Sequence, residues 1–219
     1  MPDHDLSGSS RAITAVYIPE PIALDPLDPA WAQTPETIVS LSRRIHETGA
    51  KMVAMGNENR RIRVKVVHNG TDIFFSYQWD ESVPNVTVND YSFFADAFAM
   101  EIPLITEVSP IWMGAMDKPV NIIYWRADLA KPENIVGGGI GTTQISPDAE
   151  SQNIRHYQDW DHGVWTLIIT RLMSAASQNQ ISFVRGATHR LALANWKGGN
   201  DAERGGNKII SDWQYLSIK

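Results

Sequence analysis

The chain has 219 residues, 43% of them hydrophobic, which is enough to build one sizeable core. Nineteen Lys and Arg against 25 Asp and Glu leave a net charge of -6 with no basic, aromatic-laced stripe, which argues against nucleic acid or an anionic membrane as partner. There is no cysteine, so disulfides, thiolate zinc sites, iron–sulfur clusters on this chain and covalently attached haem are excluded.

Met1 to Arg11 is a polar, acidic stretch without a basic-then-apolar export pattern, and it reads as a solvated tail (1–11) before one domain (12–219). No apolar run reaches the length of a membrane span. Ala12 to Ile18 is strand-like and ends at Pro19 and Pro21; a stiff Asp25–Pro29 turn then delivers Trp31, and Thr37 to Leu41 is a second strand. Arg43 to Gly56 has mixed periodicity and predicts no element. Next, Ile62, Val64 and Val66 alternate with Arg61, Arg63 and Lys65. Asn69-Gly70 turns the chain, and Ile73 to Trp79 returns, the strongest hairpin signal in the sequence. Further strands are expected at Met100–Leu104, Val120–Arg126, Val164–Leu172, Ile181–Val184, His189–Trp196 and Ile209–Ile218, with short helical turns at Tyr91–Asp96 (Asp90 as N-cap) and around Ser146–Asn153. Many short strands with turn punctuation predict a mainly β chain, an antiparallel β-sandwich with a few short helices.

Within Asp96–Pro103, strand alternation puts Phe98, Met100 and Ile102 on one face and Ala97, Ala99 and Glu101 on the other. A methionine on such an apolar face is ordinarily a core filler, and its alternative role is a soft ligand to a metal or to haem iron. Gly137–Gly141 lacks the strand-before, helix-after context of a phosphate loop and reads as a bend between strands. His156, Asp159, Asp161 and His162 could bind a metal and so serve a metal-dependent enzyme, but Asp161-His162-Gly163 is also ordinary turn chemistry. No serine sits in a nucleophile elbow. Trp196 to Lys208 is a long glycine-rich loop bracketed by Lys197 and Lys208, a length that marks either function or a mobile hairpin. With 8 tryptophans, a carbohydrate- or ligand-binding sandwich without catalysis is a second reading.

Four stretches resemble the haem b-binding γ subunits of the ethylbenzene dehydrogenase family, which includes the corresponding subunits of dimethylsulfide dehydrogenase, chlorate reductase, selenate reductase and steroid C25 dehydrogenase. They are Phe94 to Pro103; Met113-Gly114 with Lys118–Asn121 and Tyr124–Ala127; Gly163-Val164-Trp165 running to Arg171-Leu172-Met173; and Gly198-Gly199-Asn200 with Glu203-Arg204-Gly205-Gly206 and Lys208. The chain departs from the family at Glu101-Ile102, where the family more often has one aromatic residue before the proline. The resemblance implies a sandwich with a haem pocket at one end and axial ligation by Met100 and Lys208, with Met113 and Lys197 as the competing thioether and amine. It further implies Arg171 and Arg204 as propionate partners and Trp165 and Trp196 as pocket walls. In such a protein the chain has no catalytic residues of its own and relays electrons. Its partners would be an iron–sulfur β subunit, a molybdenum-bearing α subunit that acts on a substrate such as a hydrocarbon or sterol, and an external electron carrier. The resemblance implies a periplasmic location by co-export with a signal-bearing partner, with a cytoplasmic complex as the alternative.

Overall fold

The computed structural model describes residues 12–42, 59–87, 94–199 and 208–219; the 1–11 tail, Arg43–Gly56 and the first half of the Tyr91–Asp96 turn (91–93) lie outside the described residues. The described strands are β1 (Ile13–Tyr17), β2 (Thr37–Ser42), β3 (Asn59–His68), β4 (Asp72–Asp80), β5 (Ala97–Pro103), β6 (Val120–Arg126), β7 (Glu133–Gly137), β8 (Gln144–Ile145), β9 (Arg155–Asp161), β10 (Val164–Leu172), β11 (Thr188–Trp196), β12 (Lys208–Ile210) and β13 (Gln214–Ile218). The ladder runs β8-β7-β6-β5-β11-β12-β2-β3-β4-β10-β9 and folds over on itself, with β13 and β1 making a second bridge from β11 to β3. Pairing is antiparallel except where β1 lies parallel to β13 and β3.

Local chemistry explains the hairpins. The Asn69 side-chain oxygen accepts the N–H groups of Thr71 and Asp72 at 3.0 and 2.8 Å, and Gly70 takes φ 90°. His162 and Gly163 adopt φ 47° and 84° and close the β9–β10 hairpin. Here the expected turn is present, but His156 to Asp161 belong to a strand. Alternation therefore sends His156 to the face opposite Asp159 and Asp161, where its ring meets Gln158 at 3.1 Å, and the metal cluster is split. Among the described residues no group of three such side chains could hold a metal ion.

The main core lies between the two layers. Phe75, Tyr77 and Trp79 of β4 and Trp165, Leu167 and Ile169 of β10 face Phe98, Met100 and Ile102 of β5 and Leu191 and Leu193 of β11. Ring centroids of Tyr77 and Phe98 lie 4.5 Å apart, and those of Trp125 and Trp165 5.3 Å apart. Each such side chain, once buried, contributes about 1.5–3 kcal/mol. A smaller cluster on the other side of β3–β4–β10 holds Trp31, delivered by a 3-10 turn (Pro29–Gln33) whose first N–H groups are capped by Asp28.

Several expectations need correction. β5 begins at Ala97 rather than Met100, because its ladder to β11 starts at Ala97↔Trp196. Ile181 to Val184 is not a strand: Phe183 bonds to the Met173 carbonyl (2.8 Å) and inserts its ring into the core. Ile209–Ile218 is two strands, interrupted where Ser211 turns its N–H to Leu193 and its hydroxyl to Asp212. β7 and β8 are additional, and so is β9 apart from its turn. The Glu150–Gln152 turn falls within the expected helical segment, and Gly137–Gly141 is a bend between β7 and β8.

Candidate functional site

The layer β7-β6-β5-β11 carries a second apolar surface on the side away from the main core. Its centre is floored by small residues, Ala99 of β5 and Ala192 and Ala194 of β11, flanked by Ile122 and Tyr124 of β6 and Ile135 of β7. Alanine at three adjacent floor positions leaves room that larger side chains would fill. Trp196, Lys208 and Ile210 wall one side, and the 104–119 connection covers another with Ile111 and Met113. The result is a largely apolar cavity of about 240 Å³ over a sheet face. It does not lie at an end of the sandwich.

Two ionisable groups enter this cavity from the strands. Lys208 stands at the start of β12, opposite Trp196 in register, with its ammonium 5.0 Å from the indole centroid. Glu101 projects from β5, 9% exposed. Burial pushes the Glu101 carboxyl up to about 8, although Lys208 and the Met113 N–H both favour its ionised form. Burial likewise lowers Lys208 from its ordinary value, against the pull of Glu101. The cavity thus drives both groups towards their neutral forms.

Met113 reaches the cavity from a tight turn. It has φ 66°, Gly114 follows at φ 74°, and a Cβ on Gly114 would lie 2.7 Å from the Lys118 carbonyl oxygen. The Met113 carbonyl accepts the Gly139 N–H at 2.8 Å. Trp196 is braced by the edge of Tyr124, with centroids 5.7 Å apart. The segment leading towards Lys208 is tied at its start: Asp96, buried, accepts the Gly198 N–H at 2.7 Å, and a Cβ on Gly198 would overlap the Phe94 carbonyl.

Of the residues expected to act together, the structure joins Lys208, Trp196 and the competing thioether Met113. Met100 is on the other face of β5, fully buried in the main core, where its sulfur accepts the Tyr77 hydroxyl at 3.1 Å. Alternation separates it from Lys208 by the thickness of the sheet. Trp165 is not a wall of this cavity either; it stacks in the main core and donates its Nε1–H to Asp96 at 3.0 Å. Arg171 lies in the main core too, donating to the Leu172 and Ile181 carbonyls with its guanidinium 4.6 Å from the Phe183 ring centroid. It cannot reach the outer face. Lys197 points away from the cavity to Glu81, at 3.6 Å, which Arg60 also pairs at 2.9 Å. Arg204 lies outside the described residues. Sequence reasoning missed the role of Glu101 and of the alanine floor, although the charge inside an apolar strand was a usable signal.

Chemically, the cavity offers a soft thioether and an amine whose burial favours a free lone pair, over an apolar floor. This donor set suits iron in a flat apolar macrocycle and suits hard, hydrated cations poorly, since those demand several oxygens.

Comparison with known proteins agrees on family and fold. A protein of Haloferax mediterranei named as a respiratory nitrate reductase heme subunit is 30% identical over 156 residues, covering 71% of this chain and 55% of the relative, so the chain spans about half that relative's length. The dimethylsulfide dehydrogenase subunit gamma of Rhodovulum sulfidophilum is 26% identical over 220 residues, covering 95% of this chain and 82% of the relative. Among solved structures, a family 9 carbohydrate binding module from Caldicellulosiruptor kristjanssonii in complex with glucose superposes with a TM-score of 0.56 at 9% identity, covering 95% of this chain and 96% of the other, and shows the fold alone. Residues 28–149 match the ethylbenzene dehydrogenase family, a span that includes Ala99, Glu101 and the Met113 turn but not Ala192, Ala194, Trp196 or Lys208, and the chain belongs to that family.

Proposed function

We propose that this chain is a haem-binding, electron-transferring subunit of a multi-subunit oxidoreductase, holding haem b non-covalently in the outer-face cavity with Met113 and Lys208 as the axial ligands. The observation that carries this reading is a partly buried lysine sharing an apolar cavity with a methionine. The names of the two relatives, a heme subunit and a gamma subunit, support it. Met113 replaces Met100 in the ligand pair because Met100 faces the main core.

Bound there, the haem supplies one-electron transfer. The chain's own residues do the rest. Lys208 gives up its proton, which burial favours. Met113 provides a weak, soft donor that favours the reduced metal and raises the potential. The alanine floor and Trp196 exclude water from one side of the cavity. Met113 and Lys208 would together hold the iron and leave it no position for substrate, so the bond chemistry would belong to partner subunits. We assign those partners as an iron–sulfur subunit and a molybdenum subunit, with an outside carrier completing the path and the periplasm as the place of action. Arg204 is proposed as a propionate partner on charge alone.

The test is the dithionite-reduced spectrum of the chain purified with its partners. Low-spin haem bands are expected, lost or shifted in Lys208→Ala and Met113→Ala and kept in Met100→Ala. A colourless complex overturns the proposal. The alternative of a sugar-binding sandwich loses Trp31, Trp79, Trp125 and Trp165, which are core residues, and keeps Trp112, Trp160, Trp196 and Trp213, which are partly exposed.

A further inference from the structure

A second cleft opens where the β5–β11 ladder ends. That ladder stops at Glu101↔Ala192, although β11 reaches back to Thr188 and β5 runs on to Pro103. Pro103 has no N–H to offer β11, and the chain leaves the sheet after it, with the Leu104 N–H bonded to the Pro119 carbonyl at 3.0 Å. The two strands therefore part, leaving a space of about 520 Å³. This falls within the ~300–1,000 Å³ of small-molecule sites. No residue that lines it also lines the outer-face cavity.

The lining is apolar on one part and cationic on another. Leu104, Ile105 and Ile181 supply hydrocarbon, while β11 contributes His189 and Arg190. The His189 Nε2 is buried and has no hydrogen-bond partner among the described residues. Its ring meets Phe183 edge-on with centroids 5.3 Å apart, and the Arg171 guanidinium stands 4.6 Å from the centroid of the same Phe183 ring. Arg171 is 2% exposed and donates to the Leu172 and Ile181 carbonyls; its Nε too is unpartnered among the described residues. Ile181 is a wall residue, so a buried cation stands directly behind the cleft. Arg190 adds a second positive charge, 5.9 Å from the Tyr215 ring centroid, and no carboxylate is among the described residues that line the space. Burial and the charge of Arg171 both lower His189, which favours a neutral ring with a single N–H to place.

These groups together call for an anion that carries hydrocarbon. A bare inorganic anion would leave the apolar wall in water, and a hydrocarbon alone would leave Nε2 unpaired. We propose that this cleft binds an amphipathic monocarboxylate, whose carboxylate accepts the His189 Nε2–H and faces Arg190 while its alkyl chain lies along Leu104, Ile105 and Ile181. The site goes beyond the haem reading and does not rest on it.

The experiment is calorimetric titration of octanoate into the full chain, with octanol, hexanoate and decanoate as comparisons. Octanoate should saturate one site and bind at least tenfold more tightly than octanol, and each pair of added methylenes should tighten binding about tenfold. Arg190→Gln and His189→Phe should each weaken octanoate about tenfold or more. NMR of wild type with isotope-labelled histidine adds a readout independent of variant folding: the His189 Nε2 signal should move when octanoate is added. That signal is assigned by its absence in His189→Phe, or in His189→Gln where the first does not fold. Equal affinity for octanoate and octanol, an unmoved His189 signal, or full-strength binding by Arg190→Gln overturns the proposal. So does binding that vanishes in Lys208→Ala, because the ligand would then occupy the outer-face cavity. A chain that binds octanoate as expected but never haem sinks the haem reading alone.

Discussion

The two faces of β5 are chemically close in sequence and opposite in use. Towards the main core, Phe98, Met100 and Ile102 pack against aromatic rings, and the Met100 sulfur is engaged by a tyrosine hydroxyl. Towards the outside, Ala99 and Glu101 floor a cavity that receives Met113 and Lys208. Two thioethers thirteen positions apart therefore have different fates. Met100 is held by contacts on every side and could be exchanged for another apolar side chain of like volume. Met113 sits on a strained turn beside unfilled space, where its sulfur can meet a ligand. On strand β5 the thioether of Met100 is used for packing, whereas the thioether proposed as a ligand, that of Met113, is on the connection that closes over the sheet.

The comparison breaks most visibly at the amines and thioethers. Lys208→Ala should abolish haem retention outright, read as loss of the reduced bands, while Lys197→Ala should keep the spectrum and cost only stability, since it leaves Glu81 with Arg60 alone. Met113→Ala should change the spectrum with a small loss of stability. Met100→Ala should do the reverse: about 2–5 kcal/mol lost in urea unfolding, the price of a core cavity, with the haem bands unmoved. An altered spectrum in Met100→Ala with a normal one in Met113→Ala would exchange the roles of the two faces.

How much of this was legible depended on how local the cause was. Asn69-Gly70 and His162-Gly163 act within four residues, and both turns could be read. The alternation of β5 could be read too, and it correctly separated Glu101 from Met100. Its direction could not, because every residue of β5 is buried and neither face looks wet. Direction is set by what β6 and β11 bring alongside, and by the 104–119 connection. The Met113 turn was invisible since it depends on Pro110, Lys118 and Gly139, which are scattered in sequence. β7 was hidden for a different reason: its polar Asn134 is buried only because Asn121 of β6 donates to it at 2.7 Å. Trp165 and Arg171 share one face of β10, so expecting both at one pocket was self-consistent, but that face is turned to the main core and not to the outer cavity.

A smaller effect sharpens the electrostatic difference between the faces. Glu101 titrates at about 8 in the folded chain and near 4.5 when exposed, so between those values the folded state keeps a proton that the unfolded state has lost. Stability of the haem-free chain should therefore fall as pH rises from about 5 to 8, by a few kcal/mol at most. Burial lowers His68, His156 and His189, which gives the opposite slope near their ordinary values, so the informative quantity is the difference between wild type and Glu101→Gln. Glu101→Gln should gain relative to wild type as pH rises, read as urea midpoints at pH 5, 6.5 and 8. A constant difference would mean that Glu101 is not held in its neutral form.

The smallest effect tests the inner face alone. Tyr77 is fully buried, and its hydroxyl donates to the Met100 sulfur at 3.1 Å. Sulfur is a weak acceptor, and Tyr77→Phe removes donor and desolvation cost together, so the loss should be about 1 kcal/mol or less. The haem spectrum and potential should not move, because the hydroxyl and the cavity lie on opposite sides of β5. Were Met100 the ligand, its sulfur would have to leave Tyr77 and cross the plane of a strand paired on both edges, and Tyr77→Phe would then ease that release and raise haem occupancy. A shifted potential in this variant would carry the site back through the sheet; an unchanged one with a slightly earlier urea midpoint leaves Met100 as packing.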